Sequence, residues 1–316
     1  MSGIDPALKD AQETDIVIPI MGASGAGKSS FINHLLDHLG STRERVQVGE
    51  QLVSCTSQLE SVIIDGLTDY WKRIKGHRIV LVDTPGFDDT YLGDFVILQR
   101  IASWLAESYR KKMVLGGVVY LHDISQDRFS GTARRNLEMF NQLCGDSVLD
   151  KVVLVTSKWA KVVGRNLEKR EGELKKNHWN TMLDGGARVE RLVAGREGES
   201  AWRIVYSVLD RVEAHLGVRD ATKFEGLEIQ RELVKRHKFL PQTHAARELR
   251  NQLQQMLESQ TSQMLVLEAD ASAGDTEAKA RLQEQEAKVK KMAEQIENLK
   301  ISLPKRFARL KMVMEN

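Results

Sequence analysis

A chain of 316 residues has room for one large core plus an accessory segment, and 41% hydrophobic with 28% charged residues describes a globular protein rather than a disordered or fibrous one. A formal net charge of +2 argues neither for nor against a nucleic-acid partner, and none is indicated by the sequence. The two cysteines, Cys55 and Cys144, lie far apart without metal-ligand spacing, which points to a reducing, cytoplasmic setting; residues 1–6 lack a basic or apolar leader, and no apolar run approaches the length of a membrane span.

In chain order, residues 1–14 read as an N-terminal tail, residues 15–216 as one α/β domain and residues 217–316 as a helical region. Within the domain, short β-branched apolar runs alternate with longer amphipathic stretches. Strands are expected at 16–21, 59–65, 77–83, 115–121, 151–156 and 188–193, with helices beginning near Lys28, Gly93, Ser130, Arg165 and Ser200. That alternation predicts a mostly parallel central sheet flanked by helices. Ligands of such sheets sit beyond the carboxyl ends of the strands, so the loops after Met21, Asp83, Leu121, Thr156 and Val193 should face one nucleotide.

The first of these loops reads Gly22-Ala23-Ser24-Gly25-Ala26-Gly27-Lys28-Ser29, a complete Gly-x-x-x-x-Gly-Lys-Ser set between an apolar strand and a helix. Gly22, Gly25 and Gly27 let backbone N–H groups turn toward phosphate oxygens, Lys28 adds a positive charge and Ser29 supplies a hydroxyl for Mg²⁺; Ser24, Ala26 and Ser30 complete the expected phosphate-binding set. A chance Gly/Ser loop is disfavoured by the strand before it and the helix after it. Farther on, Thr56 lies in the polar stretch 54–57 and is expected to bring a hydroxyl to Mg²⁺, the alternative being a strand-start hydroxyl. Asp83-Thr84-Pro85-Gly86 ends the next apolar strand. Asp83 is expected to hold a metal-bound water, and Gly86 to offer its N–H to a γ-phosphate.

Asp88, beside Asp89, is a weaker candidate for placing water, because Asp pairs after Gly commonly serve turns and helix caps. His122 ends a strand and reads as a structural histidine. Thr156-Ser157-Lys158-Trp159 stands at the base-reading position: the Lys158 stem is expected to cover a purine, and Trp159 either stacks on it or packs in the core. Ala194-Gly195-Arg196 offers backbone groups to the base.

Beyond residue 216, Leu249, Leu253, Met256, Gln260, Gln263 and Leu267 alternate spacings of four and three. So do Leu282, Gln285, Val289, Met292, Ile296, Leu299 and Leu303. Turn formers at 270–276 separate the two stripes and predict an antiparallel helical hairpin, packed on its own domain in the preferred reading and coiled against another chain in the other. The basic and apolar residues 304–314 read as its solvated end, with membrane-surface contact the lesser alternative.

The order of Gly22 to Ser29, Ser54-Cys55-Thr56 and Val82-Asp83-Thr84-Pro85-Gly86-Phe87 resembles the septin-like (paraseptin) GTPases, among them septins, chloroplast import receptor GTPases and immunity-associated GTPases. Asp127-Arg128-Phe129-Ser130, leading through Ala133 to Phe140 and ending at Cys144-Gly145, resembles a box that follows the fourth strand in the immunity-associated group. Gly86-Phe87-Asp88-Asp89-Thr90 is similar to the turn of a fungal branch of that group. The resemblance covers about residues 15–216 and implies a GTPase that binds GTP/GDP and Mg²⁺ and forms a homodimer through its nucleotide face, with Arg128 reaching into the opposing site.

Two departures stand out. Phe87 occupies the place where Ras-type enzymes carry a water-orienting glutamine, and a phenyl ring cannot orient water, so hydrolysis should be slow unless a partner supplies an arginine, which contributes about 10³–10⁵ in rate. Trp159 replaces the acid that reads guanine, forgoing two charge-assisted hydrogen bonds of about 1.5–3 kcal/mol each. The assignment of GTP therefore rests on the resemblance. Relaxed base specificity that includes ATP, and a nucleotide-gated assembly module with little hydrolysis, remain the alternatives.

Overall fold

A sheet covered by helices on both faces selects near-continuous runs of β-branched residues, and such runs build the centre of this protein. The computed structural model describes residues 5–43, 45–48, 59–87, 93–126, 128–162, 166–216, 226–272 and 276–300. Its elements are α1 (Pro6–Lys9), β1 (Ile16–Gly22), α2 (Lys28–His38), β2 (Glu60–Ile64), β3 (Ile79–Asp83), α3 (Asp94–Arg110), β4 (Val114–Leu115), β5 (Val118–Asp123) and α4 (Gly131–Cys144). These are followed by β6 (Val152–Ser157), α5 (Leu167–Asn177), α6 (Asn180–Asp184), β7 (Arg188–Arg191), α7 (Glu197–Leu216), α8 (Glu228–Gln230), α9 (His244–Ser272) and α10 (Thr276–Asn298).

The strands form one sheet in the order β2-β3-β1-β5-β6-β7, with β4 beside the start of β1; β2–β3 is the antiparallel pair and the other pairs are parallel. Side chains alternate across it. Ile16, Ile18 and Ile20 face α2 and α7, whereas Val17 and Met21 face the layer built by α3, α4 and α5. This is the mostly parallel α/β sheet that the alternating pattern predicts.

Three local features depart from expectation. The strand expected at 115–121 is broken, because Gly116 crosses so close to β1 that a Cβ there would lie 2.5 Å from Cγ2 of Ile16; β4 and β5 are its two halves. The helix expected near Ser200 begins at Glu197, and the Ser200 hydroxyl instead donates to the Arg196 carbonyl (2.8 Å) while accepting from Val193 N–H (3.1 Å). Pro6–Lys9, within the expected tail, forms a helical turn: the Asp5 carboxylate accepts from Ala7 N–H (3.0 Å) and from the Ser61 hydroxyl (2.5 Å), and Ala7 and Leu8 are buried. Arg78 clamps the following residues through Asp10 (2.5 Å) and Asp15 (2.8 Å).

After α7 the described chain resumes at residue 226, where Gln230 donates to the Leu105 carbonyl (2.8 Å) and fastens α8 to α3. Glu232 is fully buried and accepts from Lys238 (2.6 Å) and from His244 N–H (2.9 Å), so its carboxylate caps the first turn of α9. The two long helices α9 and α10 pack on each other, and their root packs on the domain: Leu249 and Leu253 from α9, Met292 and Ile296 from α10, and Leu299 just after it are buried in the same core as α3 and α4. Residues 273–275, 303 and 304–314 lie outside the described residues.

Burial should separate the root of the hairpin from its far end. Leu253→Ala, at a site 2% exposed, is expected to cost about 2–4 kcal/mol in urea denaturation, while Leu265→Ala, at a site 65% exposed, should stay within about 0.5 kcal/mol. Equal costs would mean that the hairpin is not docked as described.

Candidate nucleotide site

The pairing of β1 with β3 sets Ile20 opposite Asp83, so the two strands end level with one another. Thr84 secures this end by donating from its hydroxyl to the Ile20 carbonyl (2.9 Å). The phosphate loop rises from β1 and closes into α2, whose first residues Lys28 and Ser29 are both buried. Gly27 caps that helix at φ 95° without a side-chain hydrogen bond, so the start of α2 stands at the phosphate loop, the helix end that favours anions. Lys28 folds back along the loop, its ammonium donating to the carbonyls of Gly22 (3.0 Å) and Ala23 (2.9 Å).

The hydroxyl of Ser29 donates to Oδ2 of Asp83 at 2.5 Å. Asp83 is fully buried, and among the described residues its other oxygen, Oδ1, has no hydrogen-bond partner. Burial pushes this carboxyl up to about 6, against the pull of the Ser29 hydrogen bond and the Lys28 charge. A hydroxyl and a carboxylate with a bare buried oxygen form the oxygen-donor set that Mg²⁺ takes, so the residues fit such an ion. Gly86 comes so close to the loop that a Cβ would lie 2.3 Å from Ser24 N and 2.7 Å from the Ala23 carbonyl carbon. Only glycine fits there, and the Ser24 hydroxyl reaches its carbonyl at 3.4 Å.

The other wall comes from β5 and β6. The Ser157 hydroxyl donates to the carbonyl of Ala26 (2.8 Å), tying the end of β6 to the phosphate loop. Lys158 adopts a left-handed φ of 63° and pairs with Asp123 at 2.9 Å. Burial pushes the Asp123 carboxyl up, but hydrogen bonds from Ser125 and Lys158 outweigh it and hold the group below the usual aspartate range. Sequence reasoning missed Asp123; its signal was an aspartate at a strand end two residues before a serine, the pattern of a side chain that accepts from its own loop.

Trp159 is engaged within the fold. Its indole N–H donates to the Thr156 carbonyl (3.2 Å) and hydroxyl (3.1 Å), and the Arg191 guanidinium covers its ring at 4.2 Å. These contacts fit the core-packing reading of Trp159. Arg128 is exposed at the start of the loop before α4, without an ion pair or hydrogen bond among the described residues. Gly22, Gly25, Ala26 and Ser30 belong to the loop and the first turn of α2, whereas Thr56 and Asp88 lie outside the described residues. Phe87 is buried, with its carbonyl accepting from Asn136 of α4 (3.3 Å).

Residues 17–158 match the profile of the 50S ribosome-binding GTPase family. They form a P-loop G domain. The structure of this chain is similar to Toc33 from Arabidopsis thaliana in complex with Mg²⁺ and GMPPNP, at 18% identity over 64% of this chain and 85% of that one, with a TM-score of 0.44. It is similar also to a dimerization-deficient mutant of Toc33 (17% identity, 69% and 88% covered, TM-score 0.43) and to the G domain of the T. maritima FeoB iron transporter (16% identity, 63% and 99% covered, TM-score 0.39). No curated protein matches the chain.

The Asp83 carboxyl gives the G domain a pH signature. Its folded value of about 6 lies above the ordinary aspartate value, so the folded state keeps this proton longer, and the associated stability is lost as pH rises through about 6. Asp83→Asn buries no charge and should stabilise the nucleotide-free protein by roughly 2 kcal/mol at pH 7.5 and negligibly at pH 4, read by urea denaturation. The same variant should lose the Mg²⁺ dependence of nucleotide affinity. A variant destabilised at pH 7.5 would contradict the assigned environment.

Proposed function

We propose that this chain is a Mg²⁺-dependent GTPase, slow as a monomer and stimulated when two G domains pair across their nucleotide faces. The observation that carries the reading is the Ser29–Asp83 hydrogen bond at the mouth of a complete phosphate loop, with Gly86 held against Ser24. In this scheme Gly25, Gly27 and Lys28 hold the phosphates, while Ser29, Asp83 and Thr56 hold the metal. When bound, Mg²⁺ would neutralise charge that develops on the transferred phosphoryl group. Gly86 presents its N–H to the γ-phosphate, and Asp88 is a candidate for placing water.

Phe87 contributes nothing to orienting water, since its ring is buried. An arginine from a second copy offsets that loss, and Arg128, exposed and free of partners among the described residues, is suited to the task. Guanine as the base rests on the family resemblance, and ATP is its competitor. The Asp123–Lys158 pair holds the lysine that would cover the base.

One observation favours a second reading, a nucleotide-gated assembly module with little hydrolysis. The hairpin root contacts both sides of the turn after β3: Leu249 and Leu253 share a small cleft with Phe87, and Gln295 of α10 accepts from Phe95 N–H at 3.2 Å. A turn whose position depends on nucleotide would thereby bias the hairpin.

Phosphate release, measured over a range of protein concentrations with GTP and ATP in parallel, separates the two. Specific activity that rises with protein concentration supports the paired GTPase; no release at any concentration, with nucleotide still bound, leaves the assembly module. Arg128→Ala should lower turnover by about 10³-fold with little change in binding, whereas Lys28→Ala should weaken binding itself.

A further inference from the structure

A cavity of about 260 Å³ opens between the loop after β5 and helix α5, away from the phosphate loop. It lies on the sheet face covered by α3, α4 and α5: its walls Ile124, Phe129 and Leu174 pack in that layer, whereas α2, which leads out of the phosphate loop, packs on the opposite face. The sheet therefore separates the two places.

The rings of His122, Phe129 and His178 line the cavity, and Trp179 backs His122. His122, from β5, meets the edge of Trp179 at 5.8 Å with planes at 88°, and lies 5.7 Å from Phe129. Phe129 stacks in turn on His178 at 3.9 Å, with planes 20° apart. The His122 ring is largely enclosed, yet neither of its nitrogens makes a hydrogen bond among the described residues. Burial holds its imidazole down to about 4, with Asp123 pulling weakly the other way, so at neutral pH the ring offers one N–H donor and one bare acceptor.

The rim is polar and cationic. Arg170 fixes the loop by donating to the carbonyls of Ile124 (3.3 Å), Ser125 (3.3 Å) and Gln126 (2.9 Å). Arg128 has no such engagement among the described residues. Among the described residues Glu173 is the one acid lining the cavity, too few for a divalent cation. The polar rim does not suit an acyl chain.

A ring-lined slot, a neutral donor–acceptor ring and one free guanidinium together select one chemistry. We propose that this cavity binds a planar nitrogen heterocycle of one or two rings carrying a single carboxylate, with the ring against Phe129, a ring nitrogen hydrogen-bonded to His122 and the carboxylate on Arg128. Such a site stands beside the nucleotide site and does not depend on the GTPase reading.

Calorimetric titration of the full chain with indole-3-carboxylate and with nicotinate, with and without saturating Mg²⁺–GDP, tests it. At least one acid should bind saturably, one per chain, with Kd below about 1 mM, a modest efficiency for a ligand of this size. Mg²⁺–GDP should leave that binding unchanged. Neutral indole-3-carboxamide, His122→Leu and Arg128→Ala should each weaken binding about tenfold or more. Arg128 is exposed, so its variant keeps the test decisive if the His122 variant fails to fold. The proposal falls if neither acid saturates by about 10 mM, if binding survives Arg128→Ala, or if Mg²⁺–GDP competes with the acid, which would assign binding to the phosphate loop. Hydrolysis is not measured, and the titration without nucleotide reads the cavity with Arg128 not drawn into G-domain pairing, so that arm stands apart from the GTPase reading.

Discussion

The register of β1 on β3 is the constraint on which the site depends. With Ile20 opposite Asp83, both strands end at the same height, and α2 then delivers the Ser29 hydroxyl to a carboxylate that the chain reaches 54 residues later. A slip of one residue would turn Asp83 to the opposite face of the sheet and bury a charge in the α3–α4 layer. The same register brings Gly86 against Ser24, at a separation no side chain could occupy. Ile16, Ile18 and Ile20 hold the register by filling the α2–α7 face, so the apolar core and the oxygen-donor set are specified by the same alternation.

The hairpin root adds a second constraint. The turn after β3 leaves the site through Phe87 and re-enters regular structure at α3, and the described portions on either side touch α9 or α10. Asn136 of α4 grips the Phe87 carbonyl from a third direction. Displacement of Gly86 would therefore disturb its neighbour Phe87 and the packing it shares with Leu249 and Leu253. The far end of the pair is held less well, since Gln260 and Gln285 each bury an Oε1 atom that has no hydrogen-bond partner.

The phosphate end of the site was legible in the sequence because its chemistry demands particular residue types at fixed spacing: glycines, a lysine and a hydroxyl in one loop, and an aspartate closing an apolar strand. The sheet was legible because strands buried on both faces read as unbroken apolar runs, as Ile79 to Asp83 shows. What escaped depends on contacts between distant segments. The break at Gly116 comes from Ile16, a hundred residues earlier. Trp159 is claimed by Arg191, whose guanidinium is itself held at 2.8 Å by the buried carboxylate of Glu171. The docking of α8 through Gln230, and the burial of Glu232 beneath α9, have no local signature, because a lone buried glutamine or glutamate looks like any surface residue until its partners are known.

The end of β5 shows how one strand serves two environments. His122 and Asp123 are neighbours, and strand alternation sends their side chains to opposite faces. Asp123 turns toward the phosphate-loop side, where Ser125 and Lys158 keep it charged; His122 turns toward α5, where burial keeps it neutral. Exchanging the two would place an uncompensated carboxylate among Phe129, Trp179 and Leu174 and leave Lys158 without its partner, a double penalty of buried charge and lost pairing. The order His-Asp at this strand end thus suits the two faces of the sheet, and a single peptide bond joins the partner of Lys158 to the aromatic cavity.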